Sequence, residues 1–405
     1  MRPWFTQTEG ELRNRGTPKV ITLTGIRTFS QPRGSASIYS ASESSLYCGD
    51  HPCGVRCVMP NLKNLTPFAA VDLLSMTKQG AKALVVCVAG RFQLPPADQP
   101  SSEPPSPCAE QLPPPLSDLY WGEPGKSSLR HEAQTTYWRP GTDIYVSGQA
   151  WAPRGRPVKD VLVAVRVGPC RKGVQVFGDR VWSRGLLGLK PSEPRPFESM
   201  PLVYERSLGG NALTGGGHSA LHESRNPVGR GLYASSRDAV DMPLPNLENP
   251  LHLLKSPTER IEPAGLGPIA RSWQPRMCLA GTYDDTWVAR RAPLWPTDFD
   301  ERFFMAAAPG LSATPHLQGG EEVVLTGLSP DGRFAFPLPR HRLMMKACFN
   351  HRVERRCLIL DAIHLEPDEG AMTLFWRTAI ELNRDLERYE YGIVRQMEPW
   401  EELPT

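Results

Sequence analysis

Residues 321–338, "EEVVLTGLSPDGRFAFPL", decide the fold because they contain the clearest β-hairpin signal in the chain. Apolar and polar residues alternate in "EEVVLTGL", as they do in a strand with one buried face. "SPDG" follows, and a Pro-Asp-Gly sequence is typical of a tight turn. "RFAFPL" then forms a second alternating run. The segment therefore predicts two neighbouring antiparallel strands.

The same pattern extends in both directions from this hairpin. On the C-terminal side, residues 356–380 form two strand-like runs joined at "PDEG". On the N-terminal side, strand-like runs occur at residues 142–153 and 158–168, and two more flank the turn Lys78-Gln79-Gly80 within residues 68–94. We predict a mainly β fold, with antiparallel β-sandwich-like sheets, long irregular loops and a few short helices.

Composition agrees with short strands and elaborate loops. The chain has 405 residues, of which 42 are Pro and 35 are Gly, a combined share above the usual ~12%. The 46 Lys and Arg residues nearly balance the 43 Asp and Glu residues. We therefore expect neither nucleic-acid binding nor a polybasic membrane patch. The longest clean apolar run, near residues 83–90, is far shorter than the ~20 residues that span a bilayer.

Domain organisation is predicted from changes in composition. Residues 1–58 are rich in Ser, Arg, Gly and Thr, and we interpret them as a poorly ordered N-terminal extension or the product of a start codon assigned too early. A β-rich domain follows at 59–385, made of a β lobe (66–206), an irregular, short-helical insert (207–310) and a second β lobe (320–382). A helical tail is predicted at 386–405. Whether the lobes form one β unit or two stays open.

Two short helices are expected within the insert, around residues 284–292 and 298–308. Asp285 and Asp298 are the predicted N-caps, because a carboxylate can accept hydrogen bonds from the unpaired amides of a first helical turn.

Residues 118–132, "DLYWGEPGKSSLRHE", contain Gly125-Lys126-Ser127, the last three letters of a phosphate-binding loop. Such a loop also needs a Gly five residues before the Gly-Lys pair, so that successive amides curl around phosphate. Tyr120 occupies that position, and Pro124 removes a donor. We interpret the stretch as a Gly/Pro turn that lets Tyr120 and Trp121 pack.

Metal and acid–base motifs are weak. Cys48, His51, Cys53 and Cys57 could bind zinc, but their spacing is not that of two zinc knuckles. "HESRN" at 222–226 begins like a zinc-protease helix, yet Asn226 stands where the second His is required. Glu366, Asp368 and Glu369 are interpreted as solvated residues of a turn. We assign no catalytic residue, no metal and no cofactor.

Loop aromatic and arginine residues are the better candidates for function. Such side chains anchor protein interfaces, because they bury a large area at a modest entropy cost. The alternative is that they cap sheet edges and hold long loops down. The predicted protein-binding residues are Tyr120, Trp121, Arg130, Trp138, Arg230, Trp273, Arg276, Tyr283 and Trp287.

A series of sequence blocks between Asn61 and Ile380 resembles a known family. The blocks include "DLYWGEPGKSSLRHE" (118–132), "VGPCRKGVQVFGDRVW" (167–182), "PAGLGPIARSWQPRMCLAGTYDDTW" (263–287), "LQGGEEVVLTGLSPDG" (317–332) and "IHLEPDEGAMTLFWR" (363–377). In this order they resemble a bacterial domain-of-unknown-function family encoded beside type VI secretion toxin genes. Members of that family are regarded as effector adaptors or chaperones.

The resemblance implies a cytoplasmic, non-enzymatic protein that binds a cognate effector toxin and helps to load it on the spike protein of the secretion apparatus. Nine cysteines, mostly scattered singly, also favour a reducing compartment. Two other functions stay open: a hydrolase with an unrecognised active site, and a carbohydrate-binding β-sandwich module. The toxin, the spike partner and the oligomeric state cannot be derived from one sequence.

Overall fold

Strands dominate the computed structural model, which describes residues 61–186, 188–213, 219–350, 352–382 and 389–401. The predicted extension at 1–58 and the candidate zinc ligands within it lie outside the described residues. Within the described part, no helix is long and apolar enough to cross a membrane.

Twenty-four strands are present in the described residues. The first twelve are β1 (Leu62–Asn64), β2 (Ala69–Met76), β3 (Lys82–Gln93), β4 (Leu119–Tyr120), β5 (Leu129–His131), β6 (Thr142–Val146), β7 (Gln149–Trp151), β8 (Asp160–Val167), β9 (Cys170–Phe177), β10 (Trp182–Gly185), β11 (Gly188–Pro191) and β12 (Ser199–Pro201). The others are β13 (Leu208–Leu213), β14 (Ser219–Glu223), β15 (Arg230–Gly231), β16 (Leu247–Glu248), β17 (Ser312–Ala313), β18 (Glu322–Thr326), β19 (Phe334–Pro337), β20 (Leu343–Phe349), β21 (Arg352–Cys357), β22 (Ile359–Glu366), β23 (Ala371–Glu381) and β24 (Tyr389–Gln396).

The largest of the described sheets has six strands in the order β17-β6-β22-β23-β3-β2. Its strand β3 is buried on both faces, which explains why residues 83–90 form a continuous apolar run. Leu84 and Val86 face the main hydrophobic core. Val85 faces the opposite way and packs with Phe299 and Phe304, so irregular segments cover the second face of the sheet.

The hairpin at 321–338 belongs to a five-stranded sheet with the order β16-β9-β8-β18-β19. Strands β18 and β19 pair antiparallel, with Leu325 opposite Phe334. Both side chains enter the main core. The predicted mainly β fold is confirmed, and the sheets are antiparallel or mixed, because β22 pairs parallel with β6.

The predicted helical tail is wrong where the structure describes it. Residues Tyr389–Gln396 form β24, which pairs with β20 in a four-stranded sheet of order β1-β24-β20-β21. The β-branched pair Ile393-Val394 suits a strand. Val394 is fully buried in the core, and a partner more than forty residues away decides the conformation.

The two predicted β lobes share their sheets. β3 and β6 come from the first lobe, whereas β22 and β23 come from the second, yet all four lie in the six-stranded sheet. The five-stranded sheet likewise combines β8 and β9 with β18 and β19. A single hydrophobic core contains residues from the six-, five- and four-stranded sheets.

Residues 207–310 contain the three-stranded sheet β14-β13-β15 and the short strand β16. The α-helices of this insert in the described residues are α1 (Arg276–Leu279) and α2 (Asp285–Arg290). Both predicted N-caps need correction. Asp284 caps α2, because its carboxylate accepts a hydrogen bond from the Trp287 N–H at 2.8 Å, and Asp285 is the first helical residue.

The second predicted helix is one 3-10 turn, Glu301–Phe304, capped by Asp300. Asp298 instead accepts hydrogen bonds from the backbone N–H and the hydroxyl of Thr282, at 3.0 and 2.7 Å. Phe304 is buried under the six-stranded sheet, and the chain continues in an extended conformation after it.

Candidate functional site

A short hairpin, β4–β5, carries several of the predicted residues to one place. Its loop contains Gly125, whose φ of +78° favours glycine. The Ser127 hydroxyl donates to the Glu123 carbonyl at 2.9 Å and accepts from the Gly122 N–H at 3.0 Å. Lys126 pairs with Glu123 at 2.9 Å. The Gly125-Lys126-Ser127 sequence thus closes a turn.

Trp121 and Arg130 meet on this hairpin. The Arg130 guanidinium lies 5.1 Å from the Trp121 ring centroid, within cation–π range. Arg130 also contacts the carboxylate of Glu369, which Arg91 on β3 binds at 2.9 Å. Trp121 is 41% exposed, so this contact holds an aromatic ring at the surface.

Beneath this ion-pair layer lies a cluster of His131, His364 and Glu366. Their potential metal-binding atoms all lie within 4.8 Å of one another. His131 Nε2 is 3.3 Å from Glu366 Oε1, and the two imidazole rings meet edge to face at 4.2 Å between centroids. His364 Nε2 lies 2.7 Å from the Ser147 hydroxyl. His364 and Glu366 are buried.

The environment of this cluster fixes its charges. Burial, with a smaller contribution from His131, lowers the pKa of His364 to about 3, so its imidazole is neutral at physiological pH. Burial alone would raise the pKa of Glu366. The hydrogen bond from His131 and nearby positive charges outweigh burial and lower that pKa to about 2. The cluster therefore contains a buried carboxylate beside a neutral imidazole.

Two imidazoles and a carboxylate are ligand types that zinc accepts. Arg91 and Arg130, however, each approach the Glu366 carboxylate to 3.4 Å. Their charges already compensate this carboxylate and oppose a cation beside it. The cluster is consequently satisfied by its own ion pairs, and we assign no metal to it.

A buried ion-pair network lies on the covered face of the six-stranded sheet. The Glu132 carboxylate contacts Arg276 at 2.6 Å and Arg139 at 2.9 Å. Asp361 on β22 contacts Arg377 on β23 at 2.5 Å and Arg139 at 3.5 Å. The network joins the segment after β5 to the sheet and to the start of α1.

This network requires a correction to the predicted contact residues. Arg276 is buried, and it also donates to the Ile269 and Phe303 carbonyls. Trp273 is buried against Tyr204, with ring centroids 5.5 Å apart. Both residues build the interior and are not available to a partner in this conformation, because the irregular segment 263–279 folds back onto the scaffold.

The other predicted residues differ in exposure. Tyr283 is 51% exposed and packs edge to face against half-buried Trp287, at 4.8 Å. Tyr120 and Trp138 are half-buried, and the Trp138 ring packs edge to face against His316. Arg230 is half-buried with its guanidinium 3.7 Å from Asp179. Of the predicted set, Tyr120, Trp121 and Arg130 thus lie on the β4–β5 hairpin and Tyr283 and Trp287 at α2, whereas Trp138 and Arg230 lie in neither region.

Sequence reasoning missed His131 and His364, and it misread Glu366. Glu366 is a buried strand residue, and only its neighbours Asp368 and Glu369 are exposed at the turn. A signal existed: His364 and Glu366 stand two residues apart in "IHLE", so they share one face of the strand. The other candidate, "HESRN", begins in strand β14, and His222 bonds Asn211 across the pair.

The structure is therefore that of a mainly β protein in which ion pairs with Glu369 hold Arg130, and through it the surface ring of Trp121, in place. Residues 79–377 match a family described as "Uncharacterized protein conserved in bacteria (DUF2169)", and because the match covers most of the chain, the protein belongs to that family. No curated protein and no solved structure matches the sequence.

Proposed function

We propose that the protein is a non-enzymatic adaptor or chaperone, which binds a cognate type VI effector toxin in the cytoplasm and assists its loading onto the spike. The observation that carries the binding role is the exposed apolar surface leading into the β4–β5 hairpin. Leu112, Leu116 and Leu119 are 44%, 57% and 47% exposed, and Trp121 follows them. Exposed large apolar side chains that are grouped, as these are in one stretch of chain, mark interaction sites more often than single ones do.

The α2 region supports the same role. Met277, Tyr283 and Val288 are 58%, 51% and 62% exposed within twelve residues of chain. Met277 lies on α1 and Val288 on α2, with Tyr283 between the two helices. The buried Arg276 anchors α1 through its hydrogen bonds to the Ile269 and Phe303 carbonyls. A rigid scaffold that presents exposed apolar side chains on irregular connections is typical of a binding protein. The type VI assignment itself rests on the resemblance of the sequence blocks described above.

Co-expression with the toxin encoded beside this gene tests the proposal. We expect the two proteins to copurify, and the double variant Leu119→Ser/Trp121→Ser to reduce the recovered toxin at least tenfold. Leu65→Ser/Leu74→Ser is a matched control, since Leu65 and Leu74 are 53% and 46% exposed outside the hairpin. Equal recovery of toxin with and without this protein would refute the proposal.

A second candidate, a hydrolase, is favoured by one observation: the Ser147 hydroxyl lies 2.7 Å from His364 Nε2. A hydroxyl beside a neutral imidazole is the minimal arrangement of a serine nucleophile and its base. Ser147 is only 6% exposed, so a substrate would have to displace the hairpin above it. Covalent labelling of Ser147 by a fluorophosphonate, lost in Ser147→Ala, would favour this alternative.

A further inference from the structure

Four chain connections enclose an open cleft of about 1240 Å³. They are the end of β3 with the segment after it (residues 93–98), the turn after β7 (residues 154–155), the β18–β19 turn (residues 329–331) and the β22–β23 turn (residues 367, 368 and 370). Strands β3, β22 and β23 belong to the six-stranded sheet and β18 and β19 to the five-stranded sheet, whereas β7 pairs with β12. The cleft therefore lies where the ends of the two sheets meet, as loop-built binding sites of β-sandwiches do.

Acidic side chains dominate the charge of this cleft. Asp98, Asp331 and Asp368 line it, against a single arginine, Arg154. Asp98, Asp331 and Arg154 are exposed, and none of them forms an ion pair with another described residue. Asp368 accepts a hydrogen bond from the Trp151 indole N–H at 2.7 Å. The charged side chains of the lining thus sum to a formal net charge of −2.

The remaining lining is suited to polypeptide. Pro95, Pro96, Pro330 and Pro367 form much of the wall, with buried Phe334 behind them. Proline rings give a preformed apolar surface that loses little entropy on binding, and extended chains pack well against such surfaces. The volume of the cleft exceeds the roughly 300–1,000 Å³ of small-molecule pockets.

Backbone geometry shows that one wall is held in a costly conformation. Arg154 adopts a φ of +57°, the left-handed region that non-glycine residues rarely occupy. The Arg154 N–H donates to the Pro330 carbonyl at 2.8 Å, which joins two of the four connections. Non-glycine residues with this backbone conformation are enriched at ligand-binding sites.

We propose that this cleft binds an extended segment of the partner polypeptide that carries arginine or lysine residues. The inference rests on the proposed adaptor function and adds where one segment of the partner docks and what its charge is. Asp98 and Asp331 bind the basic side chains, and the proline wall contacts the apolar part of the segment. The positive charge of Arg154 repels a cationic segment and therefore weakens its binding.

The probe is tetra-arginine amide, titrated into the full-length protein by calorimetry at low salt, with tetra-glutamate as the reference peptide. We expect tetra-arginine to bind and tetra-glutamate not to bind. Asp98→Asn/Asp331→Asn should weaken binding at least tenfold. Asp238→Asn/Asp241→Asn changes the net charge equally at exposed residues outside the cleft and should leave the affinity unchanged. Arg154→Gln should tighten binding, a gain that misfolding cannot mimic.

Equal affinities of the wild type and Asp98→Asn/Asp331→Asn, or no preference for tetra-arginine, would overturn the inference. The co-expressed toxin separates this outcome from failure of the adaptor role. If the wild type retains the toxin and the cleft variant retains it equally well, the cleft inference fails while the adaptor proposal stands. If the wild type captures no toxin, the adaptor proposal fails, and with it the role assigned to the cleft.

Discussion

Glu132 is the shared acidic partner of three arginines in the ion-pair network on the covered face of the six-stranded sheet. Its buried carboxylate compensates Arg139 and Arg276, and Arg271 approaches it at 3.3 Å. Burial alone would raise the pKa of Glu132, but Arg276 and the other two arginines outweigh it and lower the pKa to about 2. The carboxylate therefore stays ionised and paired at all physiological pH values.

Glu132→Gln should destabilise the fold by about 3–5 kcal/mol, because it leaves buried guanidinium groups without their counter-charge. Urea denaturation followed by intrinsic fluorescence measures this change. Glu110→Gln, at an exposed position, should shift the free energy of unfolding by less than about 0.5 kcal/mol. A Glu132→Gln protein as stable as Glu110→Gln would show that the arginines find other partners.

His364 predicts a specific acid sensitivity. Its folded pKa is about 3, whereas an unfolded histidine titrates near 6.5. Below about pH 6.5 the unfolded chain takes up a proton that the folded protein excludes, so this stability is present above pH 6.5 and falls by up to about 1.4 kcal/mol per pH unit towards pH 3. Carboxyl groups join the titration below about pH 5, which leaves pH 6.5–5 as the diagnostic window.

His364→Asn should make the free energy of unfolding less dependent on pH in that window. Urea denaturation at pH 7, 6.5, 6, 5.5 and 5 gives the slope. His222→Asn removes an exposed histidine and should keep the wild-type slope. An unchanged slope in His364→Asn would mean that the His364 side chain reaches water in the folded state.

At the scale of elements, local sequence patterns predict hairpins of adjacent strands, but they do not predict pairings between strands that are far apart in sequence. The β18–β19 and β22–β23 hairpins were predictable because turn residues and alternating strands are adjacent in sequence. β24 was not, because in "YEYGIVRQ" buried Tyr389 and Gly392 stand three residues apart, which is also a helical spacing. Its pairing with β20 decides between the two conformations.

The cap of α2 gives a test at this scale. Asp284→Ala should weaken the helix by about 1 kcal/mol, because the Trp287 N–H loses its acceptor. Asp285→Ala should have a smaller effect, since Asp285 acts only through the helix dipole. Hydrogen exchange of the amides at 287–290 measures both. Faster exchange in Asp285→Ala than in Asp284→Ala would contradict the observed cap.

At the scale of the whole molecule, the fold class could be predicted from the sequence, but the contacts between distant residues that form the candidate site could not. Trp121 and Arg130 were each predicted as contact residues, yet their mutual contact follows from the β4–β5 pairing. The cluster below them joins His131 to His364, from segments distant in sequence. The parallel pairing of β22 with β6, for which no local pattern exists, places His364 opposite Tyr145 and beside Ser147. His131 reaches the cluster from β5, which belongs to a different sheet.

The shared sheets predict that the first β lobe does not fold alone. A fragment of residues 61–206 contains β2, β3 and β6 but lacks β22 and β23, which lie between them. Its apolar edges would stay exposed. We expect no cooperative thermal unfolding of this fragment by circular dichroism, whereas residues 61–401 should unfold cooperatively. A sharp transition in the fragment would restore the view of two independent lobes.

The interleaved six-stranded sheet also constrains how the protein is made. Gln93 hydrogen-bonds Gly370, and 277 positions of chain separate them. At roughly 5–20 residues per second, a ribosome needs about 14–55 seconds to add that length. During this interval β3, apolar on both faces, emerges long before its neighbour β23 exists. The nascent polypeptide thus itself requires shielding from aggregation until its last strands are translated.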